Sequence, residues 1–187
     1  MIITISHQYG SGGRLIGKTL ADRLSLPFYD GDFWTDREGA GESASIGRAD
    51  TFRITESLMK KSVTLYEAAE KLKKGAESIA YENCVACGSV SSCFENSPSV
   101  FAVFIHAPRN QRVKRYISEH HMEEETAERV VDSADRIWET FYEIVSGKKW
   151  GHCDNYSLSM DSSRLGINGT VDFILSAFSL QSDVHVC

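Results

Sequence analysis

The 187 residues, 42% hydrophobic and 25% charged, have the proportions of an ordinary globular chain and suffice for one domain with a full sheet and its helices. A formal net charge of −6 argues against duplex nucleic acid or an anionic membrane surface as partner, since both need a basic footprint. No apolar run approaches the roughly 20 residues that span a bilayer, and no basic flank, apolar stretch and cleavage site open the chain, so a cytoplasmic protein is expected.

Ile2-Ile3-Thr4-Ile5 is short and β-branched, as for a buried parallel strand. His7 to Gly13 is a turn-forming run with almost no apolar content. From Arg14 the period becomes helical, with Ile16, Leu20 and Leu24 one turn apart and Lys18, Asp22 and Arg23 between them. Pro27 ends that helix, and Phe28-Tyr29 reads as a second strand closing on Asp30. Residues 31–50, rich in Gly, Ser, Asp and Ala, read as a mobile segment with at most a short helix. Leu65, Ala68, Ala69, Leu72, Ala76 and Ile79 make an amphipathic helix, and Cys84–Gly88 and Val100–His106 read as two buried strands. Pro108 opens a helix with Val113, Tyr116 and Ile117 on its apolar face. Residues 118–150 are charged and helical, with a stripe of Ala134, Ile137, Trp138, Phe141 and Val145. Tyr156, Leu158 and Met160 alternate as a last strand, Val171, Ile174, Leu175 and Phe178 mark a final helix, and Gln181–Cys187 has no assignment. Such alternation predicts an α/β fold with a parallel central sheet between layers of helices.

The five cysteines, Cys84, Cys87, Cys93, Cys153 and Cys187, are an odd number in a chain expected to be cytoplasmic, so reduced thiols are predicted in place of a disulfide framework. Cys84-x-x-Cys87 with Cys93, His152 and Cys153 offers zinc-ligand types, but no second C-x-x-C follows. Cys84 and Cys87 alternate within an apolar run, and the reading adopted is small hydrophobes in a buried strand, with no metal site.

Gly10-Ser11-Gly12-Gly13, directly after a β-branched strand and before an amphipathic helix, has the placement of a phosphate-binding loop. Backbone N–H groups and the positive helix end would receive the anion, and glycines give close approach and positive φ. A ligand-free glycine turn is the alternative. Gly12 to Thr19 also satisfies G-x-x-x-x-G-K-[ST] literally, but Arg14–Thr19 is already helical in period, so that match is set aside. Aligned on strand end and helix start, the motif covers His7–Arg14, with Gly13 at the lysine position and Arg14 at that of the hydroxyl residue. Arg14 is then the candidate positive charge. Lys18, one turn further on, either reaches back to the phosphates or is a solvated surface residue. Asp30 and Asp32 follow the second strand at its carboxyl end, where open α/β sheets place ligands, and are candidates for the acceptor or magnesium.

The run Ile2-Ile-Thr-Ile-Ser-x-x-Tyr-Gly-Ser-Gly-Gly-Arg-x-Ile-Gly-Lys18, then Leu-Ala and Pro27-Phe-Tyr-Asp30, resembles the cytidylate kinase-like family of bacterial P-loop kinases. Val103–Pro108 with Arg112 and Arg115, Gly147–Gly151, Asn155-Tyr156 and Asp161-Ser162-Ser163-x-Leu-Gly-Ile are similar to later segments of that family. The likeness is good over 1–30 and 100–178 and poor over 31–99. It implies a nucleoside-monophosphate-kinase fold: a core at 1–30, 81–117 and 151–180, a monophosphate-binding insertion near 31–80, and a helical lid near 118–150. It also implies ATP and Mg²⁺, with the γ-phosphoryl group passing to a nucleoside monophosphate or similar small acceptor.

In the lid-type placement so implied, Arg112 is a candidate for the nucleotide phosphates, and Arg115 and Arg136 join Arg14 as candidate catalytic cations. Exposed helix charges in weak i,i+4 pairs are the alternative for each. Two family cations are replaced: Gly88 is followed by Ser89 instead of Arg, and Asp135 is followed three residues on by Trp138. An arginine on a transferring phosphoryl is worth on the order of 10³-fold or more. A catalytically weakened nucleotide-binding homologue that regulates or binds a partner is therefore the second expectation, and a module holding another phosphorylated ligand a third.

Overall fold

The structure is a computed structural model and describes residues 1–30, 65–94, 96–97 and 99–184. Asp32 and the segment 31–50 lie outside the described residues. Strands β1 (Ile2–His7), β2 (Phe28–Tyr29), β3 (Cys84–Cys87), β4 (Val100–His106) and β5 (Leu158–Asp161) form one sheet in the order β2-β3-β1-β4-β5. Every neighbouring pair is parallel. Helices α1 (Gly13–Leu24), α2 (Leu65–Glu77), α3 (Arg109–His120), α4 (Glu124–Ser146) and α5 (Ser162–Val184) surround it, with 3₁₀ turns at Gly88–Cys93 and Cys153–Asn155. This is the three-layer α/β architecture with a parallel central sheet that the alternation of elements predicts.

The strand period of two divides the core. Ile3 and Ile5 of β1, Val85 and Cys87 of β3, and Val103 and Ile105 of β4 pack against Ile16 and Leu20 of α1 and Val171 and Ile174 of α5. On the other face Ile2, Cys84 and Ala86 meet Ala69, Leu72 and Ala76 of α2, Phe141 and Val145 of α4, and Val90. A third cluster joins Val113 and Tyr116 of α3 to Ala127 and Val131 of α4. Because Cys84 and Cys87 belong to opposite faces, they do not converge on one ion.

Several boundaries differ from the sequence reading. β1 runs on to His7 because β4 supplies partners that far, pairing Ile105 with His7 and accepting the Gln8 amide at 3.0 Å. β3 ends at Cys87, since Gly88 at φ +64° turns the chain into the 3₁₀ segment. The helical reading of 118–150 is broken near its start: His121 at φ +53° stops α3, and α4 begins at Glu124 after the extended Glu123. Tyr156 lies in the turn before β5, and α5 continues to Val184 with an interruption at Gly166.

β1 hands over to α1 on one face, whereas the adjacent β3 hands over to the Gly88–Cys93 turn on the other. Neighbouring strands whose connections leave on opposite faces open a crevice at their carboxyl ends, the switch point where such sheets bind ligands.

Candidate phosphate-binding site

The loop at that switch point is Gln8–Gly12, and its shape follows from its hydrogen bonds. The Gln8 side chain accepts the Ala107 amide at 3.2 Å, tying the loop to the segment after β4. The Gln8 carbonyl accepts both the amide and the hydroxyl of Ser11, at 3.1 and 2.7 Å, closing a tight turn. Ser162, at the start of α5, donates its hydroxyl to the Ser11 carbonyl at 2.6 Å.

Two arginines of α3 hold the outer side. Arg112 is almost fully buried, donating from Nε to the Ala107 carbonyl at 3.0 Å and from Nη1 to the Tyr9 carbonyl at 3.0 Å and to Asp135 Oδ2 at 2.6 Å. Arg115 Nη1 donates to the Gly10 carbonyl at 3.1 Å. Asp135 of α4 also accepts the Tyr9 amide at 2.9 Å, so α3, α4 and the loop share one polar junction. A second ion pair, Arg109 with Asp132 and Glu128, joins the same helices at the surface.

The glycines are steric requirements. Gly10 and Gly12 adopt φ +77° and +83°. A Cβ on Gly10 would lie 2.7 Å from the Arg112 carbonyl oxygen, and one on Gly13 would lie 2.3 Å from His7. With the carbonyls of Tyr9, Gly10 and Ser11 drawn outward, the N–H groups of Gly10, Gly12 and Gly13 donate to nothing among the described residues. Helix α1 starts there with no side-chain cap and no acidic residue in its first turn. Open amides at an uncompensated positive helix end form a receptor for an anion.

Arg14, half-exposed, donates from Nε to Asp30 Oδ2 at 2.8 Å, so both sequence candidates stand at the mouth of the loop. Lys18 lies one turn further along α1 on its exposed side, and Arg136 is exposed on α4 beside Asp135. The fold thus brings Gly10, Ser11, Gly12, Gly13, Arg14, Asp30, Arg112 and Arg115 to one end of the sheet; Asp32 is outside the described residues. Trp138 packs edge-on against Phe141 at 5.8 Å, partly buried against the core under the second sheet face. The residues that composition and spacing did not mark are Gln8, Ser162 and the junction role of Asp135. All act across long sequence separations, and only the Asp135 and Ser162 positions carried a signal, through the family resemblance.

Among the described residues, the groups that converge as metal-ligand types are His152, Cys153 and Asp154, an exposed surface turn. A polar cleft of about 290 Å³ lies near the start of β4, lined by Val100, Ala102, Lys148, Asn155 and Tyr156. It is at the opposite end of β4 from the loop.

Among solved structures, an uncharacterized protein from Eubacterium ventriosum superposes with a TM-score of 0.69 at 21% identity, with 94% of this chain and 96% of that one covered. A shikimate kinase from Bacteroides thetaiotaomicron gives 0.60 at 15% identity, covering 96% and 98% of the two chains. A gluconokinase from Sinorhizobium meliloti gives 0.60 at 16%, covering 98% and 94%. At these identities the likeness establishes the fold. No curated protein matches the chain in sequence. The family profile described as cytidylate kinase-like matches residues 2–164, which include the loop, its arginine supports and the start of α5, and the chain therefore belongs to the cytidylate kinase-like family.

Proposed function

We propose that the protein is an ATP-dependent phosphotransferase that moves the γ-phosphoryl group of ATP to a nucleoside monophosphate or similar small acceptor. The observation that carries this reading is the set of unpartnered amides of Gly10, Gly12 and Gly13 at the start of α1, a cradle suited to the β-phosphate of a triphosphate. Arg14 would add a positive charge at the mouth. Arg112 and Arg115 would act by holding the loop carbonyls away from the phosphates, which keeps the amides pointing in. Asp30, held by Arg14 at the mouth of the loop, would be the carboxylate for Mg²⁺ or the acceptor. Mg²⁺, when bound with the nucleotide, neutralises charge on the phosphate oxygens.

A second reading, a nucleotide-binding homologue with little turnover, is favoured by one observation. The two positions where the family carries cations hold Ser89, in a 3₁₀ turn, and Trp138, partly buried against the core. Calorimetric titration with ATP and Mg²⁺, beside coupled ADP release over a panel of small acceptors, separates the two. The proposal expects ATP binding and acceptor-dependent ADP release. Binding without turnover on any acceptor would support the second reading, and no binding at millimolar ATP would sink both.

A further inference from the structure

β1 ends on His7, whose side chain falls on the strand face of Ile3 and Ile5 and runs beneath the start of α1. It is confined there: a Cβ on Gly13 would lie 2.3 Å from its Cβ and Cγ and 2.7 Å from its Cδ2. Nε2 faces β3, 4.0 Å from the place a Cβ on Gly88 would take. The imidazole therefore forms the floor of the crevice between β1 and β3, beside the open amides of the loop.

Nδ1 lies 3.2 Å from the Gln8 carbonyl oxygen. That oxygen has no proton to give, so Nδ1 carries the hydrogen and the lone pair of the neutral ring sits on Nε2. Nε2 has no hydrogen-bond partner among the described residues. The positive end of α1 stands over the ring and disfavours the imidazolium. Burial lowers the His7 pKa and Arg14 on α1 works the same way, while the Gln8 hydrogen bond, Asp135 on α4 and Asp30 after β2 oppose it, with burial the largest influence.

Among the described residues, three arginines near this crevice have other partners. Arg14 is engaged by Asp30, Arg112 by Asp135 and two carbonyls, and Arg115 by the Gly10 carbonyl. A phosphate-bearing acceptor calls for positive partners at its reacting end. An alcohol calls for a lone pair that takes its proton, which is what Nε2 presents.

We propose that His7 is a catalytic residue whose Nε2 takes the proton of an alcohol, and that the acceptor is a hydroxyl-bearing small molecule with no phosphate at its reacting end. This rests on the phosphotransferase reading and replaces the nucleoside monophosphate as its acceptor with an alcohol. In the step, the alcohol oxygen bonds to the γ-phosphorus of ATP, and the bond from that phosphorus to the β,γ-bridging oxygen breaks. The electron pair leaves with ADP, the hydroxyl proton passes to Nε2, and the imidazolium returns it to water.

The experiment measures kcat and KM by coupled ADP release with ATP and Mg²⁺. Acceptors are nucleosides, ribose, glycerol and a hydroxy acid on one side, and the matching nucleoside 5′-monophosphates on the other, for the native protein, His7→Gln and His7→Ala. Calorimetry reports ATP affinity for each. The alcohols are expected to exceed the monophosphates in kcat/KM, and both variants to lose on the order of 10²–10⁴-fold in kcat with ATP affinity retained. Preference for monophosphates, or variants that keep their kcat on an alcohol, would overturn the inference and leave the phosphotransferase reading standing. ADP release with neither class would overturn both. If a variant no longer binds ATP, the native protein's choice between each nucleoside and its monophosphate decides alone.

Discussion

Gly13 and His7 constrain each other, and so do Arg112 and Asp135. In the second pair a guanidinium with a side chain 7% exposed faces a carboxylate 19% exposed at 2.6 Å, and each also holds the backbone of Tyr9. Removing one partner strands the other in a poorly solvated place. Asp135→Ala and Arg112→Ala are each expected to lower unfolding free energy by about 3 kcal/mol in urea titrations, where an exposed pair would give less than about 1 kcal/mol. Arg112→Lys should recover only part of the loss, because an ammonium cannot reach Tyr9, Ala107 and Asp135 with one planar fork. At the mouth of the loop the expected order differs. Arg14→Ala should weaken ATP binding about tenfold, the worth of one charge-assisted hydrogen bond, and more than Lys18→Ala does. Equal or reversed losses by calorimetry would move the phosphate contact one turn into α1.

At the scale of elements, β1 and α1 were readable because each rests on local pattern. The β-branched run, the glycines and the 3.6-residue spacing of Ile16, Leu20 and Leu24 need no knowledge of neighbours. β1 nevertheless carries a feature that pattern does not show. Thr4, fully buried in the central strand, has a hydroxyl without a hydrogen-bond partner among the described residues. Thr4→Val keeps the shape and removes the orphan group, and should raise stability by about 1 kcal/mol in the same titrations. What α3 and α4 do was not readable. Arg112, Arg115 and Arg136 look alike as helix charges, and their faces are set by how α3 docks on α4 and β4. Asp135 meets Tyr9 across 126 positions, a pairing that no local rule contains. The Ser89 and Trp138 replacements were visible as missing cations, but the core place of Trp138 depends on where α4 lies over the second sheet face.

For the whole molecule, the described residues gather the loop's open amides, Arg14, Asp30 and His7 at the carboxyl end of the sheet. The core beneath is continuous with the loop through Ile5, Cys87 and Ile105, so an anion held by the loop should stabilise the fold and not only local structure. With ATP at a hundred times its dissociation constant, unfolding free energy should rise by about 2.7 kcal/mol. For a chain of this length that is a rise in Tm of about 5–10 °C. Differential scanning calorimetry with and without ATP checks it, and an unchanged Tm would mean that the native state does not bind the nucleotide. The most direct test of the central claim follows the phosphoryl group itself. The protein is incubated with Mg²⁺, ATP labelled at the γ-phosphorus and the acceptor panel, and the products are separated. Phosphotransferase activity predicts label in a new acceptor-dependent species; label found only in ATP and inorganic phosphate would contradict it.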